Sequence, residues 1–290
     1  MNIINNSFNE LKPLQKKHLE ILEYVQLFCE KNKIEWSLAF GSALGAKRHG
    51  GPIPWDDDVD IYMTSENYNR FRNLFKEKGN KNKFYLQERI SINGMVIMPK
   101  IRLNSTTFIE DTVANLDMHH GIYIDIFILH NAPKSFFCKV YGCLLSFYMN
   151  LKILSDKGYK KRKLARPLMW VLSLLPKNFG FNYILTFQYS YDKKDSNELA
   201  DWFVFSKFIP KEVILPTKPI LYDGVFLPGP NKIERYLEIW YGKWREIPNT
   251  NDIAWKRHSR NWSISEDFRK FAPNVHNFSD EMGNINNRER

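Results

Sequence analysis

The chain has 290 residues, 43% hydrophobic and 26% charged, a globular composition that supplies one large domain or two small ones. No stretch reaches the roughly 18–20 uncharged apolar residues of a spanning helix, and a mean hydropathy of −0.44 argues against a polytopic membrane protein. The net charge is +10, and most of it sits in one place: residues 131–190 hold ten Lys or Arg and one acid, Asp156.

The first ten residues are Asn-rich, with neither a basic start nor an apolar run, so no signal peptide is expected. Cys29, Cys138 and Cys143 are odd in number and form no CxxC pair. That excludes a disulfide scaffold and a cysteine-based zinc site, and it fits a reducing cytoplasm. Leu14, His18, Ile21, Leu22, Val25, Phe28 and Cys29 recur at helical spacing, which predicts an amphipathic helix over 12–31. Residues 36–40 read as a short buried strand, ended by Gly41-Ser42, with a short helix or turn through Arg48 and a turn at 49–52. Residues 58–63 read as a second strand. Thr64 or Ser65 caps a helix reaching Lys78, with Tyr68, Phe71, Leu74 and Phe75 on one face. Strand-like runs follow at 84–87, 96–103, 107–109 and 122–129. From 135 to 191 the pattern is helical. Beyond 203, short extended pieces alternate with Pro and Gly, and a last helix spans 232–240. The fold class is α+β (mixed α/β), built around a small mixed sheet.

Four carboxylates crowd into Asp56-Asp57-Asp58-Val59-Asp60. Such charges repel one another unless a cation sits among them. In a strand, Asp58 and Asp60 share a face while Val59 and Ile61 turn into the core. Two adjacent carboxylates there make a hard-oxygen site suited to Mg²⁺ or Mn²⁺; a solvated acidic turn is the alternative. Asp125 lies in the otherwise apolar run 121–129, where a lone carboxylate must be paired or bind metal. As a third ligand it completes the set with Asp58 and Asp60, whereas as an ion-pair partner it meets Arg102. Gly41 allows close backbone approach to a phosphate, the Ser42 N–H and hydroxyl can donate to it, and Arg48 can clamp its oxygens. Lys100 and Arg102 share a strand face and are further phosphate candidates, with a solvated face as the alternative. His119 and His120 are ligands or loop residues, and His258 covers a phosphate or sits on a basic surface turn.

Taken in order, Phe40-Gly-Ser-Ala-Leu-Gly-Ala-Lys-Arg48 and Gly51-Pro-Ile-Pro-Trp-Asp-Asp-Asp-Val-Asp-Ile61 resemble the signature of the LicD family of phosphotransferases, which includes bacterial phosphocholine transferases and fukutin-related proteins. Gly121-Ile-Tyr-Ile-Asp-Ile-Phe127 is similar to the family's second acidic strand, and Tyr236–Pro248 to its closing segment; the resemblance spans about 12–250. His49-Gly50-Gly51 departs from it, since a more polar or basic turn is usual there. The resemblance implies a nucleotidyltransferase-like core over 1–130; the sequence pattern adds a basic, aromatic-rich helical segment at 131–200, a C-terminal segment at 201–273 packing on the core, and an Asn- and charge-rich, mobile tail at 274–290. It implies that a phospho-alcohol (phosphocholine, phosphoribitol or similar) moves from a CDP-activated donor to a hydroxyl of a cell-surface glycan, releasing CMP. Asp58, Asp60 and Asp125 would hold Mg²⁺ or Mn²⁺, Asp56 and Asp57 belong to the motif as further metal candidates, and Asp125 would also accept the hydroxyl proton. Gly41, Ser42 and Arg48 would position the diphosphate. Transfer of a nucleotide with release of pyrophosphate is the competing chemistry, and a non-catalytic membrane-bound assembly factor is a third reading.

The basic window combines an apolar, aromatic helix over 136–148 with the run Lys157-Gly-Tyr-Lys-Lys-Arg-Lys163 and a second apolar stretch at 167–175. An interfacial anchor on an anionic membrane and a buried helix pair with a solvated loop both fit this pattern. Lipid-linked glycan acceptors tilt the reading to the membrane. Nucleic acid is disfavoured, because no nucleic-acid fold accompanies the charge.

Overall fold

The computed structural model describes residues 10–88, 98–110, 113–114, 116–156, 166–176, 179–202, 207–248, 258–259 and 261–271. The expected strand start at 96–97, the basic run 157–163, the stretch 255–257 and the tail 274–290 lie outside them.

The helix expected first is α1, Lys12–Lys31, which buries Leu14, His18, Ile21, Leu22, Val25, Phe28 and Cys29. Pro13 sits in its opening turn, where a missing N–H costs nothing. Strand β1 is only Ser37–Leu38. The expected strand stops short because Phe40 takes φ +39° and opens helix α2, Phe40–His49. Strand β2 is Asp60–Thr64, so Asp58 precedes the strand rather than sharing a face with Asp60 inside it. Thr64 caps α3, Ser65–Lys78, by accepting from the Asn67 N–H. Then come β3 (Phe84–Gln87), β4 (Lys100–Leu103), β5 (Thr107–Ile109) and β6 (Tyr123–Asn131). The helical stretch resolves into α4 (Phe136–Asp156), α5 (Arg166–Ser173) and α6 (Phe181–Ser190).

The main sheet is mixed and runs β1-β2-β6-β4-β3. Strand β2 is parallel to β6, whereas β1, β4 and β3 are antiparallel to their neighbours. The end of β6 also pairs with β7, Glu198–Asp201, which continues to β8, Lys207–Pro210. Residues 123–130 of β6 are buried throughout, as a strand covered on both faces must be. Helices α1 and α3 close one side through an aromatic cluster. Tyr24 stacks on Phe84 at 4.1 Å, and Phe28 meets Phe71 edge-on at 5.4 Å. Fully burying Phe71, Phe75 and Phe84 contributes about 1.5–3 kcal/mol each.

The C-terminal elements are α7 (Lys211–Ile214), the hairpin β9 (Lys218–Tyr222) and β10 (Val225–Gly229), and α8 (Ile233–Tyr241). They put Ile214, Tyr222, Leu227, Tyr236 and Leu237 into the same core as α1 and the sheet. A last strand, β11 (Asn261–Ser263), pairs with β5. Helix α4 crosses the sheet extension at Gly142, where a Cβ would lie 2.3 Å from the Trp202 ring. No helix among the described residues is long and apolar enough to cross a membrane.

One buried hydrogen bond ties α8 to the start of α2: the Phe40 N–H donates to Tyr236 Oη at 2.9 Å. Tyr236→Phe leaves that donor buried without its acceptor, and is expected to lower unfolding free energy by about 1–3 kcal/mol in urea melts.

Candidate functional site

The site is assembled where β2 begins beside β6. Asp60 and Asp125 are direct register partners across the parallel pair, and the Asp125 N–H donates to Val59 O at 2.8 Å. The Ser42 hydroxyl accepts from the Asp60 N–H at 2.9 Å. The buried Ser42 thereby fixes the backbone that carries Asp60. The turn before β2 is held by α1. Gln15 donates through Nε2 to Ile53 O at 3.0 Å and Asp56 O at 3.1 Å. Gly41 lets the Asp56 carboxylate approach, since a Cβ at Gly41 would lie 2.6 Å from Asp56 Oδ2.

Asp57 points elsewhere. Its carboxylate is 1% exposed and accepts from the His258 N–H at 2.8 Å, the Ser259 N–H at 3.2 Å and the His258 ring at 2.9 Å. The same ring lies 3.4 Å from Asp58. Hydrogen bonding to Asp57 pushes the His258 pKa up to about 10, against burial, so the imidazole is protonated and donates. Asp57, Asp58 and His258 bring ligand-type atoms within 4.8 Å of one another, and with the imidazole protonated they form a charged clamp. His258 therefore sits at the acidic turn, not on a basic surface turn.

Burial and then crowding set the electrostatics of Asp56, Asp60 and Asp125. Burial and then Asp58 push the Asp56 carboxyl well above the usual range. Burial, Asp58 and Asp125 do the same to Asp60. Burial raises Asp125 to about 6, opposed by Lys100. The Lys100 Nζ lies 2.7 Å from Asp125 Oδ1 and 3.5 Å from the Tyr123 ring centroid. Arg102, the ion-pair partner expected for Asp125, instead donates to Gln87 at 2.6 Å and Gly121 O at 3.0 Å, and faces Glu110 at 3.8 Å. Both cations are buried, so their strand face is not solvated. The donor set of Asp56, Asp58, Asp60 and Asp125 is all hard oxygen, which suits a hard divalent cation.

A cavity of about 680 Å³ opens over this cluster. Asp56, Asp58 and Asp60 line it together with Gly41, Arg48 and His258. Trp55, Tyr241 and Trp244 form its aromatic wall. Arg48 donates to Trp244 O at 3.0 Å and to His49 at 3.0 Å, so it both borders the cavity and holds the closing segment. Gln15 and Glu110 carry no local motif, and Tyr241 and Trp244 lie in the closing segment without a role that its spacing assigns. Their places follow from pairings across the whole chain.

His119 and His120 take loop-packing roles. The Gly121 N–H donates to His119 Nδ1 at 2.9 Å, and Nε2 faces Asn104 Oδ1 at 3.0 Å. The ring stacks on Tyr85 at 5.0 Å, while His120 faces Leu116 O and Phe268. This network selects the neutral His119 tautomer. Burial, then Arg102, hold its pKa well below the ordinary value. Below about pH 6.5 the unfolded chain gains a proton that the native imidazole refuses, so stability falls as pH falls. His119→Gln should be less stable at pH 7 yet flatter between pH 7 and 5, by up to about 1.4 kcal/mol per pH unit, in thermal melts across that range.

Residues 33–141, which hold α2, β2 and β6, match the family described as LicD/FKTN/FKRP, nucleotidyltransferase domain. Over 254 residues the chain is 28% identical to a lipopolysaccharide cholinephosphotransferase LicD from Haemophilus influenzae, covering 83% of this chain and 94% of that relative. The matched span contains the whole aspartate cluster, and the likeness to the relative runs through most of the rest of the chain. Residues 33–141 are therefore similar to the nucleotidyltransferase domain of LicD/FKTN/FKRP proteins, and the chain as a whole is similar to a LicD relative over most of its length.

Proposed function

We propose that the protein is a divalent-cation-dependent phosphotransferase that moves a phospho-alcohol from a CDP-activated donor to a sugar hydroxyl of a lipopolysaccharide-type glycan, releasing CMP. The observation that carries this reading is the convergence of Asp56, Asp58 and Asp60 on one cavity, with Asp125 paired to Asp60 behind them. The relative's activity on lipopolysaccharide and its choline phosphate cargo support the acceptor class and make phosphocholine the first donor to test; phosphoribitol and teichoic-acid or capsular acceptors belong to the same chemistry.

In this reaction the acceptor oxygen attacks the phosphorus that bears the alcohol, and the P–O bond to CMP breaks. CMP leaves with the bonding electrons, and the acceptor proton passes to a carboxylate, here Asp125. Asp58, Asp60 and Asp125, joined by Asp56, would hold Mg²⁺ or Mn²⁺, whose charge neutralises the diphosphate. Ser42 and Gly41 keep Asp60 and Asp56 in place, Arg48 meets the diphosphate from the cavity wall, and Lys100 sets the basicity of Asp125. Asp57 holds His258 and Ser259 against the site.

The direct assay supplies CDP-choline, CDP-ribitol or CDP-glycerol with Mn²⁺ and a glycan acceptor. CMP release supports the reading, whereas pyrophosphate release from CTP overturns it in favour of nucleotide transfer. Asp58→Asn and Asp60→Asn should each lower turnover at least ~1000-fold, and in chelator each should melt no lower than the parent, because one repelling charge is gone.

Asp125 serves two ends, and a pair of variants separates them. Asp125→Asn strands the buried Lys100 and should cost about 3 kcal/mol of stability. Adding Lys100→Met should restore stability but not turnover. If the double variant regains turnover, Asp125 is an ion-pair partner only.

A further inference from the structure

Outside the aspartate site, the largest unexplained feature is the outer face of α4, α5 and α6. On α4, Phe136, Phe137, Val140, Tyr141, Leu144 and Phe147 are exposed, and their spacing of three and four residues makes one stripe. Phe137 is 82% exposed and Leu144 60%, far more than a satisfied core helix shows. The opposite side of α4 is conventional: Met149 and Ile153 pack on Phe181 and Ile184.

The stripe continues onto the neighbouring elements. Tyr141 and Tyr183 share a hydrogen bond between their hydroxyls at 2.8 Å, which joins α4 to α6. The Tyr148 hydroxyl donates to Phe179 O at 2.9 Å, and Lys152 donates to Leu175 O at 3.3 Å. Along this seam Tyr183, Phe179 and Leu174 are all more than half exposed. Helix α5 adds Trp170, 66% exposed, and Val171. A surface this apolar, this rich in aromatic rings and this continuous requires a covering partner.

Charge identifies that partner. The chain that joins α4 to α5 contains Lys157, Lys160, Lys161, Arg162 and Lys163 and no acid between 157 and 165. The whole window 131–190 carries ten cations against Asp156. A second copy of the chain would bring two such windows face to face, with like charge on both sides. An anionic lipid surface instead offers the opposite charge for the cations and an apolar layer at the depth of the aromatic rings. None of the three helices is able to span that layer, so the contact is in the plane of the surface. We propose that the outer face of α4, α5 and α6 is a docking surface for an anionic lipid bilayer, with Phe137, Leu144, Trp170 and Leu174 entering the headgroup region.

The test uses the full chain and vesicles without substrate, so its failure would leave the transfer reading intact. Vesicles of equal parts phosphatidylglycerol and phosphatidylcholine should co-sediment the protein at low salt, and vesicles of phosphatidylcholine alone should not. The triple variant Phe137→Ser, Leu144→Ser, Trp170→Ser alters exposed side chains and should weaken binding at least ~10-fold. Changing Lys160, Lys161, Arg162 and Lys163 to Gln should weaken it ~100-fold or more. A readout that needs no disruptive variant is Trp170 itself. Brominated phosphatidylglycerol should quench emission in the parent, and Trp170→Phe should remove most of that quenching. Failure of the parent to bind anionic vesicles, or unquenched Trp170 in the bound protein, overturns the proposal. So does a dimer in vesicle-free light scattering that the triple variant converts to monomer, which would assign the face to a second copy.

Discussion

Crowding of like charge at the head of β2 is the constraint around which this molecule is arranged. Asp56, Asp58 and Asp60 lie within five residues of one another, and the β2·β6 register adds Asp125. A protein relaxes such repulsion by turning side chains outward or by letting the turn open. Here both routes are blocked. The Ser42 hydroxyl holds the backbone of Asp60, Gln15 holds the backbone of the turn, and Val59 and Ile61 are locked in the core. The repulsion is therefore retained in the fold as a standing affinity for positive charge.

The cations the fold does supply are placed at the edges of the cluster. Lys100 lies against Asp125, and His258 against Asp57 and Asp58. The middle is left to the carboxylates, and those of Asp56 and Asp60 are pushed above the usual range chiefly by burial and then by their acidic neighbours. Different groups thus hold the turn and line the cavity. Asp57, although it belongs to the same sequence run, is used for construction.

Much of this was legible in the sequence, and the boundary between what was and was not has a physical cause. Helices α1 and α3 were legible because their apolar positions repeat every three or four residues, a property of the local chain. The acidic run and the glycine before it were legible as a motif because their spacing is local too. The partner of Asp125 was not: Lys100 and Arg102 sit on the same strand face, and only the register of β4 against β6 puts Lys100 opposite Asp125. Ser42 illustrates the same limit, since the sequence offers its hydroxyl as a donor and only the fold shows the same oxygen accepting from the Asp60 N–H. Strands β7 and β11 are three or four residues long and gain their identity only from β6 and β5. His258 has no motif, because its meaning is given by Asp57, 201 residues earlier.

That long reach has a consequence for how the protein comes into being. Phe40 meets Tyr236, Arg48 meets Trp244 and Asp57 meets His258 across separations of 196, 196 and 201 residues. A nascent chain emerges from its N-terminus, so the aspartates are exposed long before the segment that walls them in has been translated. Through most of synthesis the acidic turn is an open, solvated patch without its aromatic wall. The cavity closes only once Tyr241, Trp244 and His258 have emerged, far behind the aspartates in the chain, and those later residues convert an exposed cluster of charges into a walled cavity.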